Sequence, residues 1–185
     1  MTRVVAVCGS RRDGSYTRTA LTYALDAAEA AGAETDLLDL GAVDLPLYHP
    51  DLDEQGDSEA LKRRVREADA VLVGSPVYHG SYSSTFRNFH DYCSFDEYED
   101  TVVGLLATAG GGSFGSTLDH LRITIRGVHG TVVPHQVGIR KAYDKIEDGA
   151  FVDQDLQERT EKLGREVVSY ADRLGSQCPP AIADD

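Results

Sequence analysis

Short apolar runs rich in β-branched residues alternate along the chain with longer segments whose apolar residues recur at helical spacing. The run from Val4 to Cys8 is continuously apolar, as a strand covered on both faces requires. Leu21 and Leu25 belong to the second kind of segment, an apolar stripe that ends at Gly32, where a helix C-cap is expected. Helical segments separate the five predicted strands, which are Val4–Cys8, Thr35–Leu40, Ala70–Gly74, Thr101–Thr108 and Thr131–Val137.

Alternating strands and helices form βαβ units, which build a parallel sheet with helices on both faces. In such a sheet ligands bind at the carboxyl ends of the strands, so the loops after the first, third and fourth strands are candidate sites. The length of 185 residues predicts one domain over residues 1–176, followed by a flexible tail at residues 177–185. Residues 138–152 are expected to form an irregular, charged excursion.

The charge of the chain excludes several classes of partner. Its 18 Lys and Arg residues stand against 31 Asp and Glu, a net charge of −13. Nucleic acids and anionic membrane surfaces select basic proteins, so we expect neither as a partner. No run approaches the roughly 20 apolar residues of a transmembrane helix. An acidic excess with few lysines favours a halophilic-type acidic surface, and solubility alone is the alternative explanation.

The cysteines and histidines predict neither disulfides nor a metal site. Three scattered cysteines without a CxxC pair favour reduced thiols, and the first residues lack the apolar region of a signal peptide, so we expect a cytoplasmic protein. Cys8 and Cys93 lie in apolar patterns and are expected to be core thiols. The six histidines show no ligand spacing, so no metal is expected.

The loop after the first strand, residues 9–17, combines glycines, hydroxyl side chains and two arginines before a predicted helix. Free N–H groups and the positive end of the helix dipole attract an anion there, and hydroxyls and arginine bind phosphate oxygens. The loop matches neither GxGxxG nor the GxxxxGK[ST] loop, so triphosphate hydrolysis is not expected. A terminal phosphomonoester fits better than a bridging pyrophosphate, because many side-chain donors converge on it. The alternative is that Ser15 is only an N-cap and that Arg11 and Arg12 are solvated.

Two further loops have the character of a binding site for a flat ring. Residues 75–81, after the third strand, contain a proline, an aromatic residue and a glycine, which can form a stiff wall against a ring. Residues 108–115 are rich in glycine, which permits close approach of backbone N–H groups to a planar ligand. Each loop alone is compatible with an ordinary turn. Together, the three loops suit a phosphate, a ring face and a polar ring edge, and the ligand that fits all three is FMN.

The sequence resembles the NADPH-dependent FMN reductase family, flavodoxin-like flavoproteins that include quinone, azo-dye and chromate reductases. The resemblance extends from Val4 to about Leu174. It implies a doubly wound α/β fold with five parallel strands in the order 2-1-3-4-5. The motifs that carry it are Gly9-Ser10-x-Arg12-x-Gly14-Ser15-x-Thr17, Pro76-x-Tyr78-x-Gly80-Ser81 and Ala109-Gly110-Gly111.

The resemblance also implies roles for individual residues. The residues that would hold the FMN phosphate are Ser10, Arg12, Ser15, Tyr16 and Thr17. Those that would line the isoalloxazine ring are Pro76, Val77, Tyr78 and His79. Those that would contact the pyrimidine edge are Thr108, Ala109, Gly110, Gly111, Gly112 and Ser113. No catalytic acid or base is predicted, because the flavin itself carries the chemistry.

The predicted function is hydride transfer from NADPH or NADH to the flavin and onward to a small acceptor such as a flavin or a quinone. A flavodoxin-like electron carrier that does not turn over nicotinamide is the alternative, and a non-catalytic module on the same fold is a third possibility. The resemblance further implies a homodimer or homotetramer. The aromatic-rich segment Phe86–Tyr98 exceeds what one helix normally buries, so part of it is expected to pack on a second subunit.

Overall fold

The computed structural model describes residues 1–53 and 55–175. The predicted tail at residues 177–185 lies outside the described residues, and the division into one domain stays a prediction. Among the described residues, no helix is both long and apolar enough to cross a membrane.

A five-stranded parallel sheet in the order β2-β1-β3-β4-β5 forms the centre of the fold, which confirms the predicted topology. The observed strand ends lie within two residues of the predicted ones. The largest differences are at the ends of β3 and β5, where backbone hydrogen bonds continue two residues beyond the predicted strand. The strands are β1 (Arg3–Cys8), β2 (Glu34–Asp39), β3 (Ala70–Pro76), β4 (Val102–Thr108) and β5 (Thr131–Ile139).

Helices cover both faces of the sheet, because alternate residues of its central strands are buried on opposite sides. In β1, Ala6 and Cys8 belong to one apolar cluster and Val5 and Val7 to the other. The first cluster lies under α1 and α6, and the second under α2, α3 and α5. The helices are α1 (Tyr16–Ala30), α2 (Ser58–Arg66), α3 (Ser84–Tyr92), α4 (Phe95–Tyr98), α5 (Gly115–Gly127) and α6 (Gln154–Gly175).

Close packing of α6 fixes the position of α1, the helix that follows the candidate phosphate loop. A Cβ atom added at Gly164 would lie 1.9 Å from the carbonyl oxygen of Ala24. The two helix backbones can approach this closely only because residue 164 has no side chain. Gly164 therefore sets the distance between α6 and α1.

The aromatic segment between residues 86 and 98 packs largely inside its own chain, and the expectation that part of it packs on a second subunit stays a prediction. Phe86, Phe89 and Tyr98 are fully buried, and only 8% of Tyr92 is exposed. The reason is the short helix α4, which the sequence pattern did not reveal and which turns the segment back against α2. Phe95, at 49% exposure, is the exception.

The segment after β5 is more regular than predicted. A 3-10 turn (Ala142–Asp144) leads into a two-stranded hairpin formed by β6 (Ile146–Glu147) and β7 (Ala150–Phe151). Asp148 and Gly149 form its turn with φ angles of 48° and 79°, the geometry that an Asp-Gly pair favours. The hairpin rests on α1, where the ring of Phe151 packs edge-on against Tyr23 at 5.0 Å.

Candidate functional site

The loops after β1, β3, β4 and β5 meet at one edge of the sheet. Backbone hydrogen bonds continue from strand to loop, so the loops are held in register with one another. These bonds run from Gly9 N–H to Gly74 O (2.8 Å), from Val77 N–H to Thr108 O (2.8 Å), from Ala109 N–H to Ile139 O (2.8 Å) and from Ala142 N–H to Ala109 O (3.0 Å).

The loop after β1 ends in a capped helix whose first turn retains free donors. The Ser15 hydroxyl accepts a hydrogen bond from the Arg18 N–H at 3.1 Å, which makes Ser15 the N-cap of α1. This bond uses one lone pair of the hydroxyl oxygen. Among the described residues, the N–H groups of Tyr16 and Thr17 have no acceptor. The start of α1 therefore presents the donors that an anion needs.

Arg18 holds this loop in place from behind. Its guanidinium donates to the Asp39 carboxylate at 2.5 Å and also to the carbonyl of Asp13 within the loop. The bond to Asp39 raises the pKa of Arg18 further above its ordinary value. The ion pair thus ties the end of β2 to the start of α1 and to the loop backbone.

The two arginines of the loop differ in position. Arg11 is exposed and lines no cavity described here. The Arg12 guanidinium lies 5.6 Å from the centre of the Tyr16 ring and lines the space in front of α1. Both arginines are exposed, as the alternative of solvated side chains expects, but only Arg12 also lines the space in front of α1.

A side-chain hydrogen bond joins the first loop to the third. The hydroxyls of Thr17 and Thr108 lie 2.6 Å apart, and both residues are buried. This bond spans 91 positions of sequence and fixes the start of α1 against the end of β4.

The loop after β3 is a tight turn. Tyr78 and Ser81 exchange backbone hydrogen bonds of 2.9 and 3.0 Å, and the intervening His79 and Gly80 have φ angles of 52° and 79°. A turn of this kind places its central residues at the tip, so His79 projects away from the sheet edge.

Ser83 braces the second loop against the first. Its hydroxyl donates to the carbonyl of Gly9 at 2.5 Å, and its N–H donates to the Ser75 hydroxyl at 2.9 Å. Ser75 is fully buried, so it serves as a structural acceptor in this loop.

The loops enclose a cleft of about 460 Å³ at the edge of the sheet. Its lining contains eleven of the fifteen predicted site residues, namely Ser10, Arg12, Ser15, Tyr16, Thr17, Pro76, Val77, Tyr78, Thr108, Ala109 and Gly110. The other four, His79, Gly111, Gly112 and Ser113, are exposed and lie outside this lining. Their predicted contact with a ligand therefore stays a prediction.

The sequence prediction missed two residues of the lining, Ala142 and Tyr143. They follow β5, the neighbour of β4 in the sheet, so the loop after β5 reaches the same edge as the glycine-rich loop. An apolar and an aromatic residue just beyond the predicted fifth strand could have indicated this part of the lining. The charged residues on either side of them made the segment resemble a solvent-exposed loop.

The comparisons with known proteins identify the family. The family model for NADPH-dependent FMN reductases matches residues 2–144, well over half of the chain. The chain belongs to the NADPH-dependent FMN reductase family. It is therefore an FMN-dependent nicotinamide oxidoreductase, which confirms the predicted enzyme class and the predicted cofactors FMN and NADPH.

Relatives of known activity are similar over nearly the whole chain. An FMN-dependent NADPH-azoreductase of Staphylococcus haemolyticus is 30% identical over 173 residues, and the match covers 89% of this chain and 92% of that enzyme. The enzyme of the same name from Staphylococcus saprophyticus is 29% identical over 177 residues, with the same coverage.

Solved structures of low sequence identity share the fold of this FMN reductase. FerB, an NAD(P)H:(acceptor) oxidoreductase from Paracoccus denitrificans, aligns with a TM-score of 0.79 at 21% identity, covering 94% of this chain and 98% of FerB. The apo form of the NADH:FMN oxidoreductase EMOB aligns with a TM-score of 0.76 at 20% identity, covering 92% and 90%. These likenesses confirm the flavodoxin-like α/β fold.

The two described thiols and the buried histidine of this FMN reductase are far from a reactive state. Burial raises the pKa of Cys8 and of Cys93, so both thiols stay protonated. Burial lowers the pKa of His90 to about 4. None of the three lines the cleft. Among the described residues, no cluster of three His, Cys, Asp or Glu side chains could hold a metal ion.

Proposed function

We propose that the cleft binds FMN and that the chain uses it to pass electrons from NADPH or NADH to a small acceptor. The observation that carries the proposal is the convergence of three loops, distant in sequence, whose donors and walls match the three parts of FMN. When bound, FMN accepts a hydride from the nicotinamide and returns two electrons to the acceptor.

The phosphate is assigned to the start of α1. The free N–H groups of Tyr16 and Thr17 point along the helix axis, and the hydroxyls of Ser10 and Ser15 stand beside them. Arg12 supplies a positive charge, because it has no carboxylate within ion-pair distance among the described residues. This donor set suits a phosphate dianion bound through many short hydrogen bonds.

The flavin ring is assigned to the space between the second and third loops. Pro76 and Val77 provide a stiff apolar wall, and Tyr78 extends it with an exposed ring. On the opposite side, a Cβ atom added at Gly110 would meet nothing within 4 Å, so the backbone there is open to a ligand. A planar ligand can therefore be sandwiched between side chains and a polar backbone edge.

The protein contributes position rather than proton transfer. The cleft lining as described contains no Asp, Glu, His or Lys side chain that could act as a general acid or base. Its residues bind the phosphate, orient the ring and exclude water from one face.

We further propose a cytoplasmic homodimer or homotetramer with an acidic shell suited to concentrated salt, acting on a small molecule such as a flavin, a quinone or an azo compound. The net charge of −13 supports the acidic shell. The exposed side chains of Leu47 (84%), Leu52 (56%) and Tyr78 (55%) support association. Light scattering coupled to size exclusion will measure the oligomeric mass, and a monomer at micromolar concentration would contradict association.

The decisive experiment is flavin reduction by nicotinamide. The purified protein, loaded with FMN, is mixed with NADPH or NADH without oxygen, and absorbance near the flavin maximum is followed. We expect rapid bleaching, and steady oxidation of the nicotinamide when a quinone is added. An electron carrier would show no such turnover.

A substitution connects this activity to the cleft. Arg12→Gln should raise the Kd for FMN about tenfold or more, because a charge-assisted hydrogen bond to phosphate is lost. Arg126→Gln is the matched control, since Arg126 is exposed on α5 and lines no cavity described here. If both variants bind FMN with the same Kd, the assignment of the phosphate to the start of α1 is wrong.

A further inference from the structure

Three consecutive residues of the second loop, the loop after β3, are each bonded to one residue of α5. The pairs are the Gly80 carbonyl with the Ser116 hydroxyl (2.7 Å), the Ser81 hydroxyl with Nδ1 of His120 (3.0 Å) and the Tyr82 hydroxyl with the Thr124 hydroxyl (3.3 Å). The three partners on α5 recur every four residues, so they share one face of the helix. We call this row of three contacts the α5 ladder.

The segment that forms the ladder is also bonded to two other parts of the fold. Arg87 of α3 donates to the Tyr82 hydroxyl at 3.4 Å and pairs with Asp91 at 2.5 Å. The next residue, Ser83, donates to the carbonyl of Gly9 in the first loop. Hydrogen bonds to α5, to α3 and to the first loop therefore hold the second loop from three sides.

The turn at the inner end of the ladder has an uncommon backbone conformation. His79 and Gly80 both have positive φ angles, 52° and 79°. A residue with a side chain rarely adopts a positive φ, and such a conformation persists only where the contacts around it hold it. The bonds from α5 reach Gly80 and Ser81, the two residues that follow His79. The ladder therefore supplies contacts that this turn needs.

The ladder connects the two sides of the space that we assign to the flavin ring. Tyr78, at the start of the turn, extends the apolar wall of that space. On the other side, α5 begins directly after the glycine-rich loop. Bonds between the turn and α5 therefore fix the distance between the two sides. No ladder residue belongs to the cleft lining, so the ladder acts only through the residues that it holds.

We propose that Ser116 and His120 are positioning residues for the flavin ring, because they hold the turn that carries Tyr78. The inference rests on the proposed function, since it requires the ring to lie between the second and third loops. The phosphate is assigned to the start of α1, away from both residues. Loss of the two bonds should therefore disturb the surroundings of the ring and leave the phosphate contacts unchanged.

The test is titration of flavin-free protein with FMN, followed by flavin fluorescence, for wild type and for Ser116→Ala/His120→Ala. Alanine favours the helix, so the double variant keeps α5. We expect its Kd for FMN to rise about fivefold to tenfold, because the ligand must now order a turn that α5 no longer holds. The visible circular dichroism of bound FMN, which reports the surroundings of the ring, should change as well.

Two further variants separate positioning from a general loss of structure. Ser116→Thr/His120→Asn keeps a hydroxyl and replaces Nδ1 with an amide that can bond Ser81, so it should restore the spectrum and a Kd within about twofold of wild type. Asp119→Ala/Ile123→Ala is the matched control and should change neither readout. Both of its positions are exposed on α5, and their side chains form no hydrogen bond in the described structure.

Combination with Arg12→Gln shows which part of FMN the ladder affects. If the ladder acts on the ring and Arg12 on the phosphate, the combined variant should raise the Kd by the product of the two separate factors. A combined effect well below that product would mean that the ladder also holds the phosphate site, and the proposal would be wrong.

The remaining outcomes separate this proposal from the function on which it rests. A Kd within twofold of wild type in Ser116→Ala/His120→Ala, or a raised Kd with an unchanged spectrum, overturns the proposal and leaves the FMN site intact. If Ser116→Thr/His120→Asn binds FMN as weakly as the alanine variant, the hydrogen bonds do not position the ring, and the proposal is wrong. Wild type that binds no FMN contradicts the proposed function itself.

Discussion

His90 makes the stability of this protein sensitive to mild acid. The imidazole lies at the end of α3, 5% exposed, stacked on Phe86 at 5.6 Å and 5.5 Å from the Tyr98 ring. Its Nδ1 atom is buried without a hydrogen-bond partner in the described structure. Burial, reinforced by the nearby charge of Arg87, lowers the pKa of His90 from 6.5 to about 4. The folded state therefore accepts the neutral ring and resists the charged one.

The size of the effect follows from the difference between the two pKa values. The unfolded chain binds a proton at His90 as the pH falls through about 6.5, while the folded chain does so only near 4. Stability is thus complete above pH 6.5 and is lost progressively as the pH falls toward 4. One pKa unit corresponds to about 1.4 kcal/mol, so lowering the pH from 7 to 5 should cost about 2 kcal/mol through this residue.

The measurement compares wild type with His90→Gln, which cannot titrate. Urea unfolding at pH 7, 6 and 5 gives the free energy of unfolding for each protein. Subtracting one from the other cancels the contribution of the carboxylates that both share. We expect wild type to lose about 2 kcal/mol more than the variant between pH 7 and pH 5.

His120→Gln is the matched control, because His120 is exposed on α5. Its free energy of unfolding should follow the pH dependence of wild type. Parallel curves for wild type and His90→Gln would refute the reasoning, since they would mean that burial does not suppress protonation of His90.

Three further predictions follow from the packing, the loop brace and the charge. Gly164→Ala should lower the free energy of unfolding by about 1–3 kcal/mol, because its Cβ would meet the Ala24 carbonyl; Gly175→Ala, with nothing within 4 Å, should change it little in the same urea titration. Asp39→Asn should raise the Kd for FMN about tenfold, because Arg18 loses the ion pair that positions it against the phosphate loop. An unchanged Kd in a flavin fluorescence titration would show that the loop keeps its conformation without this ion pair. Raising KCl from 0.1 to 2 M should raise the melting temperature, since salt screens the repulsion of a −13 chain, and a lower or constant value would argue against a halophilic-type surface.

Several parts of the site could be predicted from local sequence because local physics forms them. Ser15 caps α1 because a serine before an apolar helical stripe can bond the third residue of the helix. The loop after β1 holds free N–H groups for the same reason that every helix start does. The Asp148-Gly149 pair is also a local signal for the β6–β7 turn. The segment was nevertheless predicted to be irregular, because the residues around this pair are charged.

Other parts could not be predicted, because they depend on contacts between distant segments. The aromatic residues up to Tyr98 looked too numerous for one helix, yet α4 folds them back into the core. His79 lies at the exposed tip of its turn, and its contact with the isoalloxazine ring stays a prediction. Tyr143 reaches the cleft only because β5 lies beside β4.

Local sequence patterns establish the alternation of strands and helices, the burial of β1 on both faces and the donors at the start of α1. Periodicity and chain direction are local properties, so a pattern of a few residues is sufficient to express them. Which loops meet depends on long-range packing. The Thr17–Thr108 hydrogen bond joins residues 91 positions apart, and the cleft lining brings Tyr143 beside the loop after β1. Such contacts depend on how the whole core packs, and no short stretch of sequence contains that information.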